Sequence, residues 1–384
     1  MTSLFLWESR MPLTPEIRWI DTSEALDAAC ADVAAADVIA LDTEFFREST
    51  FHPVPALIQF SAGGPAFLVD PLEVGCTEAF RRLLSSGPLK LLHASSEDLE
   101  VLAHWAGVPV APLVDTQIAQ SLLGEMPSMG YQKLVETWVG ETLPKDETRS
   151  DWLQRPLSET QQRYAALDVV YLLEVWQRQR EALERLGRRA WLEADCADLV
   201  ALSARSEAAD GQWYLRHRQL WRLSPRQVEA YRRLTRWREG EARRRDVPRG
   251  WLVPDRLLYA IAEQLPENRY ELARIEGLKP PLIKREGDEL LRRVREAMTV
   301  DESGLPPAPL SPMAPEFKQR LKALKKVVNG EAEALGVAPE VLLKRRDLEA
   351  LVAADLTGQP LPLPAGWRGD RLNAGLVAAL EEIT

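Results

Sequence analysis

The sequence contains little cysteine and no long apolar run. Its three cysteines, Cys30, Cys76 and Cys196, are odd in number and far apart, which argues against a disulfide framework or a thiolate metal site and favours a reducing, cytoplasmic location. No apolar stretch approaches the length of a membrane span. The N-terminus lacks the basic segment of a secretory signal, and we interpret residues 1–14 as a disordered extension.

The chain also lacks an overall positive charge, because its formal net charge is −10. The distribution is uneven, however. Residues 211–300 contain 21 Lys and Arg against 13 Asp and Glu, a local charge of +8, so the remainder carries −18. Such asymmetry is typical of a basic module attached to an acidic one and favours a nucleic-acid partner. Solvated helix surface is the alternative interpretation of the same charge.

The length of 384 residues predicts two or three domains. Residues 15–210 combine short apolar runs with helical periodicity, which predicts an α/β sheet with helices on both faces. Residues 211–300 show helical periodicity interrupted by prolines. Residues 301–314 are a proline-rich linker, predicted to contain neither helix nor central strand. Residues 315–384 form a second, smaller helical domain.

Four apolar runs predict the strands of the first domain. Residues 38–41 read as a buried strand, and the runs at 56–61 and 66–70 are joined through a Gly-Gly turn, which predicts a hairpin. Together these three runs predict a meander. Residues 89–93 predict a further buried strand. Helices are expected at 77–85, from 95, at 115–123, at 131–139 and at 158–186, the last beginning with a capping box.

Two carboxylates, Asp42 and Glu44, end the first buried strand. Side chains alternate along a strand, so these two point to the same face and Thr43 points to the opposite one. Adjacent like charges repel each other, and a divalent cation is the usual means of relieving that repulsion. A simple acidic turn is the alternative.

Two further stretches add carboxylates. Asp98 opens the helix after strand 89–93, and the spacing of Tyr164 and Asp168 puts both on one helical face. Taken singly, Asp98 is N-terminal helix charge and Tyr164 is a half-buried aromatic. Together the four carboxylates, with no Cys or His pair, form a ligand set for Mg²⁺ or Mn²⁺. Two such ions activate water and stabilise the leaving oxygen in phosphodiester cleavage.

Three motifs resemble the exonuclease motifs of the DEDD superfamily, in its tyrosine-containing branch. They are Asp-Thr-Glu-Phe at 42–45, Leu-Leu-His-Ala-Ser-Ser-Glu-Asp-Leu-Glu at 91–100 and Tyr-Ala-Ala-Leu-Asp-Val at 164–169. Residues 115–117 and 145–157 are similar to the ribonuclease D family. Residues 234–258 resemble a helicase-and-ribonuclease-D C-terminal (HRDC) domain, and the last helical segment resembles the second such domain only weakly.

This resemblance implies an α/β ribonuclease-H-like exonuclease domain followed by two small all-α, HRDC-like domains. It implies a 3′-to-5′ exoribonuclease that trims tRNA precursors and other structured RNAs and releases nucleoside 5′-monophosphates. By position, two Mg²⁺ or Mn²⁺ ions are held by four carboxylates, and Tyr164 orients the attacking water. The four are Asp42, Glu44, Asp98 and Asp168.

Candidate substrate contacts come from three places. Phe45 is either a wedge that stacks on the terminal base or a core residue. His93 occupies the neighbourhood where many proofreading relatives have Asn, and it either contacts the 3′ end or packs. Arg149 lies in the segment 145–157. The basic helices offer phosphate contacts, with solvated surface as the alternative, through Arg232, Arg233, Arg236, Arg243, Arg244 and Arg245.

Two other functions remain open from the residues. A DNA 3′ exonuclease would use the same acids, because the linkage is the same. A non-catalytic RNA-binding scaffold would keep the fold with a decayed site. The C-terminal domains and the segment 145–157 favour RNA, and the complete set of acids with Tyr164 argues against decay.

Overall fold

The computed structural model describes residues 14–124, 126–143, 150–204, 213–307 and 309–383. Nearly all of the predicted N-terminal extension, and the candidate Arg149, lie outside the described residues. The chain divides into two compact units. Within the described residues, the first unit comprises 14–46, 54–204 and 336–338, and the second comprises 47–53, 213–335 and 339–383. The domain boundaries drawn from the sequence stay a prediction.

Six strands form one mixed sheet in the described part of the first unit. The strands are β1 (Ile17–Ile20), β2 (Val38–Phe46), β3 (Val54–Ser61), β4 (Ala66–Val69), β5 (Leu89–Leu92) and β6 (Leu113–Asp115). Their order is β1-β4-β3-β2-β5-β6. The β2–β3 and β3–β4 pairs are antiparallel and the other pairs are parallel, so the expected meander forms. β1 and β6 were not expected.

Helices cover both faces of this sheet, as expected. They are α1 (Ser23–Val33), α2 (Glu78–Ser85), α3 (Ser96–Ala106), α4 (Thr116–Ser121), α5 (Tyr131–Trp138), α6 (Glu159–Arg185) and α7 (Arg189–Ala204). The expected capping box forms between Ser158 and Gln161 at the start of α6. Ser95 does not cap α3, because its hydroxyl donates instead to Asp115.

The two faces of the sheet bury different residues. On one face, Leu41 and Phe60 pack with residues of α1, α2 and α3. On the other face, Leu57 and Leu68 pack against Ala165 of α6. Asp42 and Glu44 lie on the second face, since Glu44 is directly opposite Leu57. The alternation of β2 therefore directs its two carboxylates towards α6.

The described part of the second unit is helical. Its helices are α8 (Pro225–Arg245), α9 (Arg249–Leu252), α10 (Asp255–Gln264), α11 (Arg269–Arg274), α12 (Pro280–Met298), α13 (Pro315–Leu335), α14 (Pro339–Leu342), α15 (Arg345–Thr357) and α16 (Gly366–Glu381). The prolines that interrupt the helical pattern explain two of these starts, because Pro225 and Pro280 occupy the first turns of α8 and α12. The expected α/β domain followed by helical segments is confirmed.

Short 3₁₀ turns complete the second unit at Trp213–Arg216, Leu220–Arg222 and Glu302–Gly304. The last of these lies in the proline-rich stretch that was expected to hold no helix, so that expectation needs a small correction. Its three residues precede the prolines at 306 and 307, which leaves their backbone free to turn. Among the described residues, no helix is long and apolar enough to cross a membrane.

Candidate active site

Three carboxylates converge where α6 crosses β2. One oxygen from each of Asp42, Glu44 and Asp168 lies within 4.8 Å of the others. β2 supplies the first two from one face, and α6 packs on that face with Asp168 in its third turn. The alternation of side chains along β2 and the packing of α6 on one of its faces therefore bring the three carboxylates together.

The carboxylates open into a cavity of about 240 Å³. Its lining combines acids with aromatic and aliphatic side chains, so it offers both charge and an apolar wall. The lining residues are Leu41, Asp42, Thr43, Glu44, His93, Asp98, Tyr131, Tyr164, Asp168 and Leu172. All five residues that the sequence nominated for catalysis thus line one cavity.

Asp98 lines the cavity outside the tight group of three. It lies in the first turn of α3 and is 8% exposed. Its Oδ1 accepts a hydrogen bond from the Thr43 hydroxyl at 2.5 Å. Strand alternation predicted that Thr43 points away from Asp42 and Glu44. Its side chain bonds to Asp98 instead, a role that no sequence pattern indicated. Thr43 links the strand to the helix that carries the fourth carboxylate.

Burial raises the pKa of all four carboxyls, and neighbouring negative charges add to the effect. Burial is the largest cause in each case. It raises the pKa of Glu44 to about 9, that of Asp168 to about 8 and that of Asp98 to about 6. The pKa of Asp42 lies well above its usual range, with further contributions from the charges of Asp98, Asp168 and Glu44. These carboxyls cannot all ionise together without a compensating cation.

We expect the metal-free protein to lose stability as the pH rises. Below about pH 3, these carboxyls are protonated in both the folded and the unfolded state. Above it the unfolded chain ionises, while Asp168 and Glu44 stay protonated up to folded pKa values of about 8 and about 9. Proton binding by the folded state therefore makes stability fall between about pH 4 and about pH 9.

Melting temperatures in EDTA across that pH range measure the effect. Asp168→Asn is the matched comparison, because it removes one of the coupled groups while keeping the shape of the side chain. We expect a shallower decline in this variant. Identical pH dependence in the two proteins would contradict the raised pKa of Asp168.

Tyr164 lies one turn before Asp168 on α6, as the spacing predicted. Its phenol lines the same cavity as the Asp168 carboxyl, and its ring centroid lies 6.0 Å from that of Trp152. Burial, followed by the charges of Asp168 and Glu44, raises the pKa of Tyr164 far above its usual range. The phenol is therefore a hydrogen-bond donor at any working pH and is not a base.

His93 is held on both ring nitrogens. Nδ1 lies 3.0 Å from the Thr116 hydroxyl, and Nε2 lies 3.0 Å from the carbonyl oxygen of Met129. The Thr116 hydroxyl itself donates to the carbonyl oxygen of Leu92 at 3.1 Å, so it is available as an acceptor for Nδ1–H. Burial lowers the pKa of His93. These bonds support the packing interpretation, and a contact to the 3′ end stays a prediction.

Asp115 holds the backbone immediately before α3, the helix that carries Asp98. No role was predicted for Asp115 from the sequence. Its carboxylate accepts from the backbone N–H of Ala94 (3.2 Å) and Ser95 (2.8 Å), and it caps α4 through Gln117 and Ile118. Ala94 has a φ of +55°, a left-handed conformation that a residue other than glycine keeps only when its surroundings hold it. The motif at 115–117 was the available signal.

Asp115→Ala should destabilise the protein by about 2 kcal/mol. The substitution leaves several backbone N–H groups without an acceptor inside the protein, including those that start α3 and α4. Asp115→Asn keeps one acceptor oxygen and should cost about half as much. Urea unfolding measures both, with the exposed Asp198→Asn as control. Equal stability of Asp115→Ala and the wild type would contradict the role.

Arg155 anchors the described part, residues 150–157, of the segment that is similar to the ribonuclease D family. Its guanidinium makes two hydrogen bonds, of 2.6 and 2.7 Å, to the buried carboxylate of Asp70, and it also donates to the carbonyl oxygens of Ala56 and Trp152. This ties the segment to the sheet and holds Trp152 beside Tyr164. The segment therefore supports the wall of the cavity.

Phe45 stays open between its two interpretations. It is half-buried and follows a bulge in β2, where the pairing with β3 shifts between Glu44 and Phe45. Among the described residues that line the cavity, Phe45 does not occur. Its role as a wedge therefore stays a prediction.

Most of the candidate arginines of α8 have acidic partners. Glu229, which is fully buried, binds both Arg232 and Arg233. The remaining pairs are Arg243 with Glu239, Arg244 with Glu241, and Arg245 with Glu241 and Glu286. Arg243 also lies 4.7 Å from the ring centroid of Phe51. Arg236 is exposed and has no ion-pair partner among the described residues.

The fold and the acidic cavity define a class of nuclease. Residues 17–184 match the family described as 3'-5' exonuclease, and residues 227–294 match the family described as HRDC domain. The first match covers the sheet, all four carboxylates and Tyr164. The second covers α8 to α12 in large part.

Relatives that match almost the whole chain show to which family of exonucleases it belongs. The chain is 42% identical to ribonuclease D of Pseudomonas paraeruginosa over 96% of its own length and 98% of that protein, and 35% identical to ribonuclease D of Escherichia coli over 94% and 98%. The crystal structure of the Escherichia coli enzyme matches with a TM-score of 0.87 at 33% identity, covering 96% of this chain and 99% of that one. The chain belongs to the ribonuclease D family, and the prediction of a 3′-to-5′ exoribonuclease is confirmed.

Proposed function

We propose that the protein removes nucleotides from RNA 3′ ends by two-metal hydrolysis and releases nucleoside 5′-monophosphates. The observation that carries this proposal is the convergence of Asp42, Glu44 and Asp168 within 4.8 Å, with Tyr164 lining the same cavity. Asp98 completes the ligand set from the same cavity. The donors are all carboxylate oxygens, which suits Mg²⁺ or Mn²⁺ and not a thiophilic metal.

The residues of the site have different roles in the proposed hydrolysis. When bound, divalent ions supply an activated water and neutralise charge on the phosphate and the leaving oxygen. Asp42, Glu44 and Asp168, whose carboxylate oxygens lie within 4.8 Å of one another, would hold the ions. Asp98, held by Thr43, faces the site from α3. Tyr164 donates a hydrogen bond that aims the attacking water, which is an effect on orientation.

The cavity suits an unpaired terminal nucleotide. The side chains of His93, Tyr131 and Tyr164 give it aromatic walls against which a base can stack. The Escherichia coli relative is described as an exoribonuclease involved in structured RNA processing. We propose tRNA precursors and other structured RNAs as substrates, with Phe45 and Arg149 as contacts. The three cysteines are free thiols, which supports action in the reducing cytoplasm.

One assay tests the proposal. Purified protein is incubated with Mn²⁺ or Mg²⁺ and with RNA labelled at the 5′ or the 3′ end, and EDTA serves as control. Stepwise shortening of 5′-labelled RNA with release of labelled mononucleotide from the 3′ end is expected. Equal or faster degradation of matched DNA would favour a DNA exonuclease. RNA binding without cleavage in either metal would favour a scaffold.

Exposed arginines without acidic partners are the better candidates for an RNA surface. Arg218, Arg236 and Arg256 are exposed, and the described residues give none of them an ion pair. Replacing all three by glutamine should weaken binding of a tRNA precursor and make the log–log salt slope shallower by roughly 0.7 to 0.9 per lost phosphate contact.

Binding at several salt concentrations gives this slope. The matched control is Arg292→Gln, because Arg292 is exposed but pairs with Glu289 and Glu296. We expect the control to keep the wild-type slope. A triple variant with unchanged affinity and slope would show that the first helical segment does not bind RNA through these residues.

A further inference from the structure

A buried glutamine lies beside the acidic cluster and has no role in the site described so far. Gln59 is in the middle of β3, directly opposite Asp42 on β2 and Leu68 on β4. Directly opposite residues of an antiparallel pair share a face of the sheet. Gln59 therefore lies on the face that carries Asp42 and that α6 covers.

The amide of Gln59 has no hydrogen-bond partner in the part of the chain that the structure describes. The residue is fully buried, and neither Nε2 nor Oε1 contacts a donor or acceptor among the described residues. A buried amide without partners is destabilising, and most buried polar side chains in folded proteins do have partners. The sheet neighbours would accept an apolar side chain, since Leu57 and Leu68 pack on the same face with Ala165. The position therefore carries a polar group that the fold does not use.

Asp42 is the polar side chain that Gln59 faces across the strands. Opposite residues have Cβ atoms about 5 Å apart, and a glutamine side chain spans that distance. Carboxylates that ligate metals are themselves held by hydrogen bonds from neighbouring donors, which orient the ligand. Each carboxylate offers two oxygens, so an oxygen turned away from an ion needs a donor.

We propose that Gln59 is a positioning residue for Asp42. Its Nε2–H donates to the Asp42 carboxylate when a divalent ion is held, which fixes the oxygen that faces the ion. This inference rests on the proposed function. The amide is destabilising in the metal-free protein and is satisfied in the metal-bound one, so it strengthens metal binding at the cost of stability without metal.

Gln59→Met tests the inference, because it keeps the length of the side chain and removes both polar groups. Titration calorimetry with Mn²⁺ should show binding weaker by about 10- to 100-fold. The melting temperature in EDTA should stay the same or rise by about 2–4 °C. Turnover should fall, and raising the Mn²⁺ concentration should restore part of it.

Gln179→Met is the matched control. Gln179 is also a fully buried glutamine, but its Nε2 donates to the carbonyl oxygen of Thr116 at 3.1 Å. Its replacement should lower the melting temperature in EDTA and leave Mn²⁺ affinity within about twofold, because a bond that stabilises the fold is lost. Gln59→Met should therefore weaken Mn²⁺ binding without lowering the melting temperature. Gln179→Met should lower the melting temperature without weakening Mn²⁺ binding.

Each outcome is decisive. Wild-type Mn²⁺ affinity in Gln59→Met overturns the inference and leaves the proposed function intact. Absence of Mn²⁺ binding in the wild type overturns both. Loss of folding in Gln59→Met and also in Gln59→Leu overturns the inference, because it would show that the amide serves the metal-free fold.

Discussion

Asp42→Asn is expected to reduce RNA hydrolysis by roughly 10³-fold or more, which corresponds to about 4 kcal/mol of transition-state stabilisation. One oxygen of Asp42 lies within 4.8 Å of one from Glu44 on the same strand and one from Asp168 on α6, so Asp42 belongs to the group that would hold the ions. Asparagine has almost the same shape but only one acceptor oxygen and no charge. Single-turnover cleavage of 5′-labelled RNA in Mn²⁺ is the measurement.

The same substitution should not destabilise the metal-free protein. Burial raises the pKa of Asp42, and the charges of Asp98, Asp168 and Glu44 add to this, so the native fold disfavours an ionised carboxylate here. The melting temperature in EDTA should therefore remain or rise. Asp198→Asn, on the exposed face of α7, serves as the control for both measurements. A variant that keeps activity within tenfold of wild type would refute the assignment of Asp42.

The sequence predicted those parts of the sheet that have a strong local pattern. β2, β3 and β4 are apolar and joined by short connections, so their pairing follows from neighbouring residues in the chain. β1 and β6 have only four and three residues. β1 also contains Arg18 and pairs in parallel with β4, about fifty residues further along the chain. No periodicity within so short a segment reveals such a pairing.

The acids of the site were predictable because their chemistry is visible in single motifs. Asp115 was not, because its partners Ala94 and Ser95 lie about twenty residues earlier and meet it only when β5 pairs with β6. Gln59 was hidden for the same reason, since its position opposite Asp42 depends on the register of two strands. Residues whose roles depend on register need the structure.

The arginines of α8 show a signal that the sequence did contain. Glu229 with Arg232 and Arg233, and Glu241 with Arg244 and Arg245, have the i, i+3 and i, i+4 spacing of paired charges on a helix. The net charge of residues 211–300 does not reveal this pairing, because paired and unpaired arginines contribute equally to it. Glu239 lies three residues after Arg236 but pairs with Arg243 and Arg249 instead. Arg236 therefore has no ion pair among the described residues and is the member of the set most worth testing for RNA contact.

Tyr164→Phe should lower the rate of hydrolysis by roughly 10²-fold or more with little change in RNA affinity, within the range for groups that position or handle protons. The substitution removes the hydroxyl from the cavity and keeps the ring that packs against Trp152. Melting temperature should therefore hardly change. Tyr259→Phe, in the second unit, is the control for removal of a hydroxyl.

The pH dependence of this variant separates orientation from base catalysis. Burial and the neighbouring carboxylates keep the Tyr164 phenol protonated, because they raise its pKa far above the usual range. A donor that does not titrate should lower the rate by the same factor at every pH, so the two pH–rate profiles should be parallel. A profile that loses its rise with pH in Tyr164→Phe would instead identify the phenol as the base. Near-normal turnover would make Tyr164 a packing residue, and water would then be aimed by the carboxylates alone.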